Sequence, residues 1–255
     1  MNSFKKKFRN EIVDYFKEEE KMNSNRKTAI IVGVLFITAT AAGILSLLFT
    51  GPLNAPDYLI KVSANENQII IGALFMLIMG FAVAGIGIMM FPILKKHNEA
   101  LALGYVGFRI IEGVLFIVSV VSLLSLLTLS QEFVKAGAPD ASHFQTLGTL
   151  LQEEQYWAYH MGTISFGLAA LMFYYLLYQS KLIPRWLSGW GLIGVPLWFA
   201  VSLLIMFGSL TGSSVLATFL YLPIGVNEMV LAVWLIVKGF NPSTIVSGSA
   251  KTDIN

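Results

Sequence analysis

The sequence predicts an all-α polytopic membrane protein, a bundle of six transmembrane helices with both termini in the cytoplasm. Three observations carry this. Of 255 residues, 56% are hydrophobic and only 13% charged, against about a quarter charged in a soluble domain, and the mean hydropathy is +0.71. The apolar residues fall into six blocks, each near the ~20 residues that a helix needs to cross a ~30 Å hydrocarbon core. Lysine and arginine collect on alternate connections between those blocks, which orients the bundle.

Residues 1–27 form a cytoplasmic N-terminal segment in which Phe4, Phe8, Ile12 and Phe16 recur every four positions beside Lys5, Lys6, Lys7 and Arg9. That spacing draws an apolar stripe on a helix suited to lying on an anionic inner leaflet. The alternative is a start at Met22, which opens MNSNRKTA after a KEEEK stretch whose codons resemble a ribosome-binding site. Residues 28–238 hold the transmembrane domain, and residues 239–255 read as a disordered cytoplasmic tail.

The first span is about Thr28 to Thr50, followed by a polar loop with Pro52, Pro56, Asp57 and Glu66. The second, about Ile69 to Leu94, carries Gly72, Gly80, Gly85 and Gly87, small residues that let membrane helices approach closely. After the turn Lys95, Lys96, His97 comes the third span, about Leu101 to Leu129. Gln131 to Gln155 reads as the longest loop and is acidic, with Glu132, Asp140, Glu153 and Glu154 against Lys135. The fourth span is about Tyr156 to Tyr178, the fifth about Trp186 to Leu210 with Pro196 inside, and the sixth about Val215 to Val237 with Pro223, Asn227 and Glu228. Trp157, Trp186 and Trp190 fall near predicted span ends, where amphipathic rings sit at headgroup level.

With the N-terminus inside, the inner segments hold fourteen Lys and Arg and the outer loops only Lys61 and Lys135. A start at Met22 would leave eight against two. The positive-inside rule therefore places both termini in the cytoplasm.

The third span contains the polar site. Tyr105, Arg109, Glu112, Ser119 and Ser122 recur at intervals of four, three, seven and three, so they share one helical face. On insertion scales Arg109 and Glu112 together cost ~5–7 kcal/mol, offset by ~5–11 kcal/mol from the apolar residues of the same span. The charges should therefore pack inward and be paired. At ~1.5 Å per residue, Arg109 lies ~12 Å, Glu112 ~16 Å and Glu228 ~14 Å from the inner ends of their helices. The three groups thus share one level, and the third and sixth spans are expected to be neighbours, with Arg109 between two carboxylates. One cation and two acids leave a surplus of negative charge, which suits a proton carrier or a cation site. Asn227 points ~100° away from Glu228 on the same helix. The competing reading is a non-catalytic membrane interaction or stress-response protein in which the buried ionic cluster only fixes helix register, without binding anything.

Glu153, His160 and His143 are weak candidates for a metal site, but their spacing matches no HExxH-type arrangement. Glu153, Glu154 and His160 are also the sparse set on which a membrane enzyme would have to rest. No phosphate loop, nucleophile elbow or dinucleotide fingerprint stands where its mechanism needs it, so no cofactor is expected. The absence of cysteine removes thiol chemistry, and a net charge of +2 without a basic patch beside stacking aromatics makes no case for nucleic acid. The expected partners are the lipid bilayer and a small solute or lipid.

The segments HNEALALGYVGFRIIEG, LIPRWLSGWG and WLIVKGF resemble a bacterial integral-membrane family catalogued only as a domain of unknown function, number 4386 in that series. The likeness runs from about Arg26 to Phe240, and its polar positions here are His97, Asn98, Glu99, Arg109, Glu112, Arg185 and Glu228. It implies a multi-pass protein of the bacterial inner membrane and no established activity.

Overall fold

A computed structural model describes the backbone of residues 2–137, 141–212, 214–242 and 244, with side chains described from Asn23 onward, Ala141 excepted. Every regular element among these residues is helical. Helix α1 spans Asn2–Phe49, α2 Tyr58–Ala64, α3 Glu66–Leu94, α4 Glu99–Lys135, α5 Ala141–Ser180, α6 Arg185–Met206 and α7 Val215–Val237, with a 3-10 turn at Gly51–Asn54. All but α2 contain a stretch long and apolar enough to cross a membrane, that of α1 being Asn23–Phe49. The reading of residues 1–27 as an interfacial helix or as sequence before a start at Met22 rests on side chains that lie outside the described residues.

Helix ends follow local chemistry. Asn98 caps α4 by accepting a hydrogen bond from the Leu101 amide at 3.0 Å, and Ser214 caps α7 through the Ala217 amide at 3.2 Å; each satisfies an amide that has no partner within the helix. Helix α7 stops at Gly239, whose φ of +74° is the left-handed conformation that glycine adopts without steric penalty.

The six long helices form a closed ring. Each packs against the next, in the order α1, α3, α4, α5, α6, α7, and α7 packs back on α1. Backbones come close where side chains are small. A Cβ on Gly113 of α4 would lie 2.6 Å from the Gly80 carbonyl oxygen of α3, and one on Gly33 of α1 would lie 2.7 Å from the Ala232 carbonyl oxygen of α7. Polar side chains pin further joints. Ser165 of α5 donates to the Phe108 carbonyl at 2.7 Å, Ser119 of α4 to the Gln155 carbonyl at 3.0 Å, and Asn227 of α7 to the Leu187 carbonyl at 3.0 Å. Arg26 closes the ring, giving hydrogen bonds to the Leu235 and Ile236 carbonyls at 2.9 and 2.6 Å, acceptors that the last turn of α7 leaves free.

Several expectations are corrected. The third and sixth spans, α4 and α7, are not packed neighbours but face each other across the ring, because the order around it follows the order along the chain. The polar segment after the first span contains α2, whose Leu59 packs with Leu126 and Phe133 of α4. The supposed long loop from Gln131 to Gln155 is mostly helix: α4 runs on to Lys135 and α5 begins at Ala141. These extensions meet beyond the apolar zone, with Phe133 and Phe144 ring centroids 5.6 Å apart, and Gln152 Nε2 ties α5 to the 3-10 turn by donating to the Leu53 carbonyl at 2.9 Å. The fifth span ends at Met206 rather than Leu210. At the start of the tail, Phe240 is buried and the Asn241 amide donates to the Leu182 carbonyl at 2.8 Å, so the packed unit continues past Lys238.

Candidate functional site

Arg109 points from α4 into the ring, where every other long helix but α6 supplies a group near it. Its aliphatic stem lies over Gly87 of α3, where an added Cβ would come within 2.9 Å of the Arg109 Cβ. Its guanidinium carbon sits 5.6 Å from the ring centroid of Phe36 on α1 and 5.4 Å from that of Phe166 on α5. A guanidinium is weakly hydrated and planar, so aromatic faces can replace part of the water it gives up.

The two carboxylates are held unequally. Arg109 Nη1 lies 2.9 Å from Glu112 Oε2, one turn along α4, with 4% of each side chain exposed. Arg109 Nη2 lies 3.9 Å from Glu228 Oε1 on α7, and Glu228 keeps 17% of its side-chain surface accessible. The first contact is a hydrogen-bonded ion pair; the second is Coulombic contact beyond hydrogen-bond length. The cluster thus has one tightly held acid and one loosely held acid, and a single cation serves both.

Polar capacity around the cluster is incompletely used. Tyr105 stacks on Phe173 of α5, with centroids 4.9 Å apart and planes 12° from parallel, and its hydroxyl faces the Arg109 guanidinium; the Tyr174 hydroxyl of α5 and the Arg109 Nε have no hydrogen-bond partner among the described residues. Tyr174 interacts electrostatically with both Glu228 and Arg109. Two such buried polar atoms beside one charge cluster are what a water molecule or a small polar ligand would satisfy.

Of the residues singled out in the sequence, Tyr105, Arg109, Glu112 and Glu228 come together. Ser119 and Ser122 are buried on the same face of α4 but bond backbone carbonyls. Asn227 is not part of the cluster: it is fully buried and ties α7 to α6 through Leu187. The weak metal candidates are not brought together. His143, Glu153 and His160 all lie on α5, and at ~1.5 Å per residue His143 and His160 are ~25 Å apart. No group of His, Asp and Glu suited to a metal ion occurs among the described residues. Instead His160 packs among Tyr156, Trp157 and Tyr159, nearest to Tyr156 at 4.3 Å between centroids.

Sequence reasoning missed the aromatic enclosure formed by Phe36, Phe166, Phe173 and Tyr174, since aromatics within apolar spans carry no signal of which ones converge. Gly87 did carry one, a residue without a side chain at the same level as a long buried cation.

These features define the class: a multi-pass, all-helical integral membrane protein with an ionic cluster inside its helix ring. The chain belongs to the family described as a domain of unknown function (DUF4386), which it matches over residues 31–239. No curated protein and no solved structure matches it.

Proposed function

We propose that this protein binds or moves a small cationic solute or a proton at Glu228, in a bacterial cytoplasmic membrane with both termini inside. The observation that carries the reading is the unequal hold on the two acids. Arg109 is committed to Glu112, which leaves Glu228 at 3.9 Å with 17% of its side chain accessible. A loosely paired, reachable carboxylate inside a membrane is the group that can take up and release a positive charge. The surplus of acid over base favours a proton or a small cation over an anionic lipid. The buried Tyr105 and Tyr174 hydroxyls offer neutral ligands beside it. Support for the orientation comes from the two ends of the ring. Arg26, Lys27, Lys95, Lys96, Lys181, Arg185 and Lys238 lie at one end, whereas Lys61 and Lys135 lie at the other; the positive-inside rule assigns the richer end to the cytoplasm.

The test is reconstitution into vesicles with imposed gradients of protons, sodium, potassium or tetramethylammonium. The expected result is faster collapse of one of these gradients than in empty vesicles, lost in Glu228→Gln at unchanged thermal stability. No acceleration for any of the four, or acceleration unaffected by Glu228→Gln, would sink the proposal and leave the cluster with an architectural role.

A further inference from the structure

At the lysine- and arginine-rich end of the ring, the turn between α5 and α6 and the end of α7 enclose a cleft of about 550 Å³. Lys181, Arg185 and Lys238 line it together with Trp234 and Asn241, and among the described residues none of the three cations is in an ion pair. We propose that this cleft binds the phosphate of an anionic phospholipid head group.

The backbone of Lys181 and the guanidinium of Arg185 are held in place. Leu182 and Ile183, next to Lys181, are buried, and Leu182 is tied to the tail by its hydrogen bond from Asn241. That anchoring keeps Lys181 at φ +58°, the only non-glycine residue of positive φ among those described, a conformation a long side chain adopts only when its surroundings impose it. Arg185 is braced by the ring of Tyr178, with its guanidinium carbon 5.3 Å from the centroid. Helix α6 starts at Arg185, and Pro184 at its N-cap supplies no side-chain acceptor. The Leu187 amide already donates to the Pro184 carbonyl at 3.1 Å, so it is the Arg185 and Trp186 amides, at the positive end of the helix dipole, that are left to an anion.

The surroundings favour a lipid over free phosphate. Trp234, one wall of the cleft, meets Trp186 edge to face with centroids 6.5 Å apart. Trp186 is 56% exposed, and Val233 and Val237 on the same side of the ring are 55% and 62% exposed. The cationic cleft thus runs into exposed apolar and indole surface, where acyl chains would lie beneath a phosphate. The site is independent of Glu228, which lies ten residues earlier on α7, ~15 Å away along the helix.

Native mass spectrometry of the protein from mild detergent tests this, with phosphatidylglycerol, phosphatidylcholine or inorganic phosphate added in turn. One phosphatidylglycerol should bind per chain, at least tenfold more tightly than phosphatidylcholine. That preference should disappear when Lys181→Gln and Lys238→Gln are combined, and persist in the control pair Lys27→Gln and Lys95→Gln, which removes equal charge at the same end. Equal retention of both lipids, or equal loss in both pairs of variants, would overturn the proposal. So would displacement of the lipid by millimolar inorganic phosphate, which would mark a free-anion site. Because folding is monitored by the same charge-state distribution, a variant that unfolds is replaced by Lys181→Ala or Lys238→Ala alone, for which a partial loss is expected and full retention in both is the adverse result.

Discussion

The Arg109 guanidinium reaches Glu228 across the ring at 3.9 Å while bonding Glu112 of its own helix at 2.9 Å. One side chain therefore couples α4 to α7, helices whose backbones are not packed together. Removing it would leave two acids unpaired in a desolvated interior, so Arg109→Met should cost about 3–5 kcal/mol, the usual penalty for breaking a buried pair. Combining Glu112→Gln with Arg109→Met should recover part of that loss. Thermal melts in detergent check both, and an Arg109→Met protein as stable as wild type would contradict the geometry.

Gly87 bears on the same cation. An alanine there would bring its Cβ to 2.9 Å from the Arg109 Cβ, an atom fixed by the backbone, so α3 and α4 must move apart and carry the guanidinium away from Glu228 or Glu112. The expected effect of Gly87→Ala is a loss of about 1–3 kcal/mol, as for other overpacked sites. Gly113→Ala should cause a loss at least as large, since the obstructing atom is a backbone oxygen closer still, at 2.6 Å. Comparing the melting temperatures of the two variants measures the difference.

Arg26 closes the ring by donating to the Leu235 and Ile236 carbonyls. Charge-assisted bonds of this kind contribute about 1.5–3 kcal/mol each when buried, and these are partly exposed. Arg26→Ala should therefore destabilise by about 1–3 kcal/mol. It should also raise hydrogen–deuterium exchange selectively in the last turn of α7, and unchanged exchange there would argue against the clasp.

His97, in the turn between α3 and α4, titrates below the ordinary histidine range because burial, and then the neighbouring Lys96, disfavour its cationic form. The unfolded chain consequently binds the proton more readily than the folded one, and stability is lost as pH falls below about 6.5 toward the folded value. Melting curves between pH 7.5 and 5 should show a steeper decline for wild type than for His97→Gln. Parallel declines would mean that His97 contributes nothing to the acid side.

The number and order of the spans, their apolar character and the inward face of Tyr105, Arg109 and Glu112 were legible because they depend on composition and on helical period. Depth was legible as well: counting residues from the helix ends puts Arg109 and Glu228 on one level. Connections were less so, because α2 and the extended ends of α4 and α5 lie beyond the apolar zone, where hydropathy loses its meaning and packing of Leu59, Phe133 and Phe144 decides the structure.

The sequence by itself determined that three charges must lie within the membrane at one depth and face away from lipid, since facing lipid unpaired would use up most of what the apolar residues of a span return. Only the tertiary structure decided how they meet. Helix neighbours are chosen by backbone approach, as at Gly80 with Gly113 and Gly33 with Ala232, and those contacts set α4 and α7 on opposite sides of the ring. The long reach of Arg109, and the space that Gly87 leaves for its stem, then made the unequal pairing with Glu112 and Glu228. That inequality is a property of distances in space, which no spacing along the chain encodes.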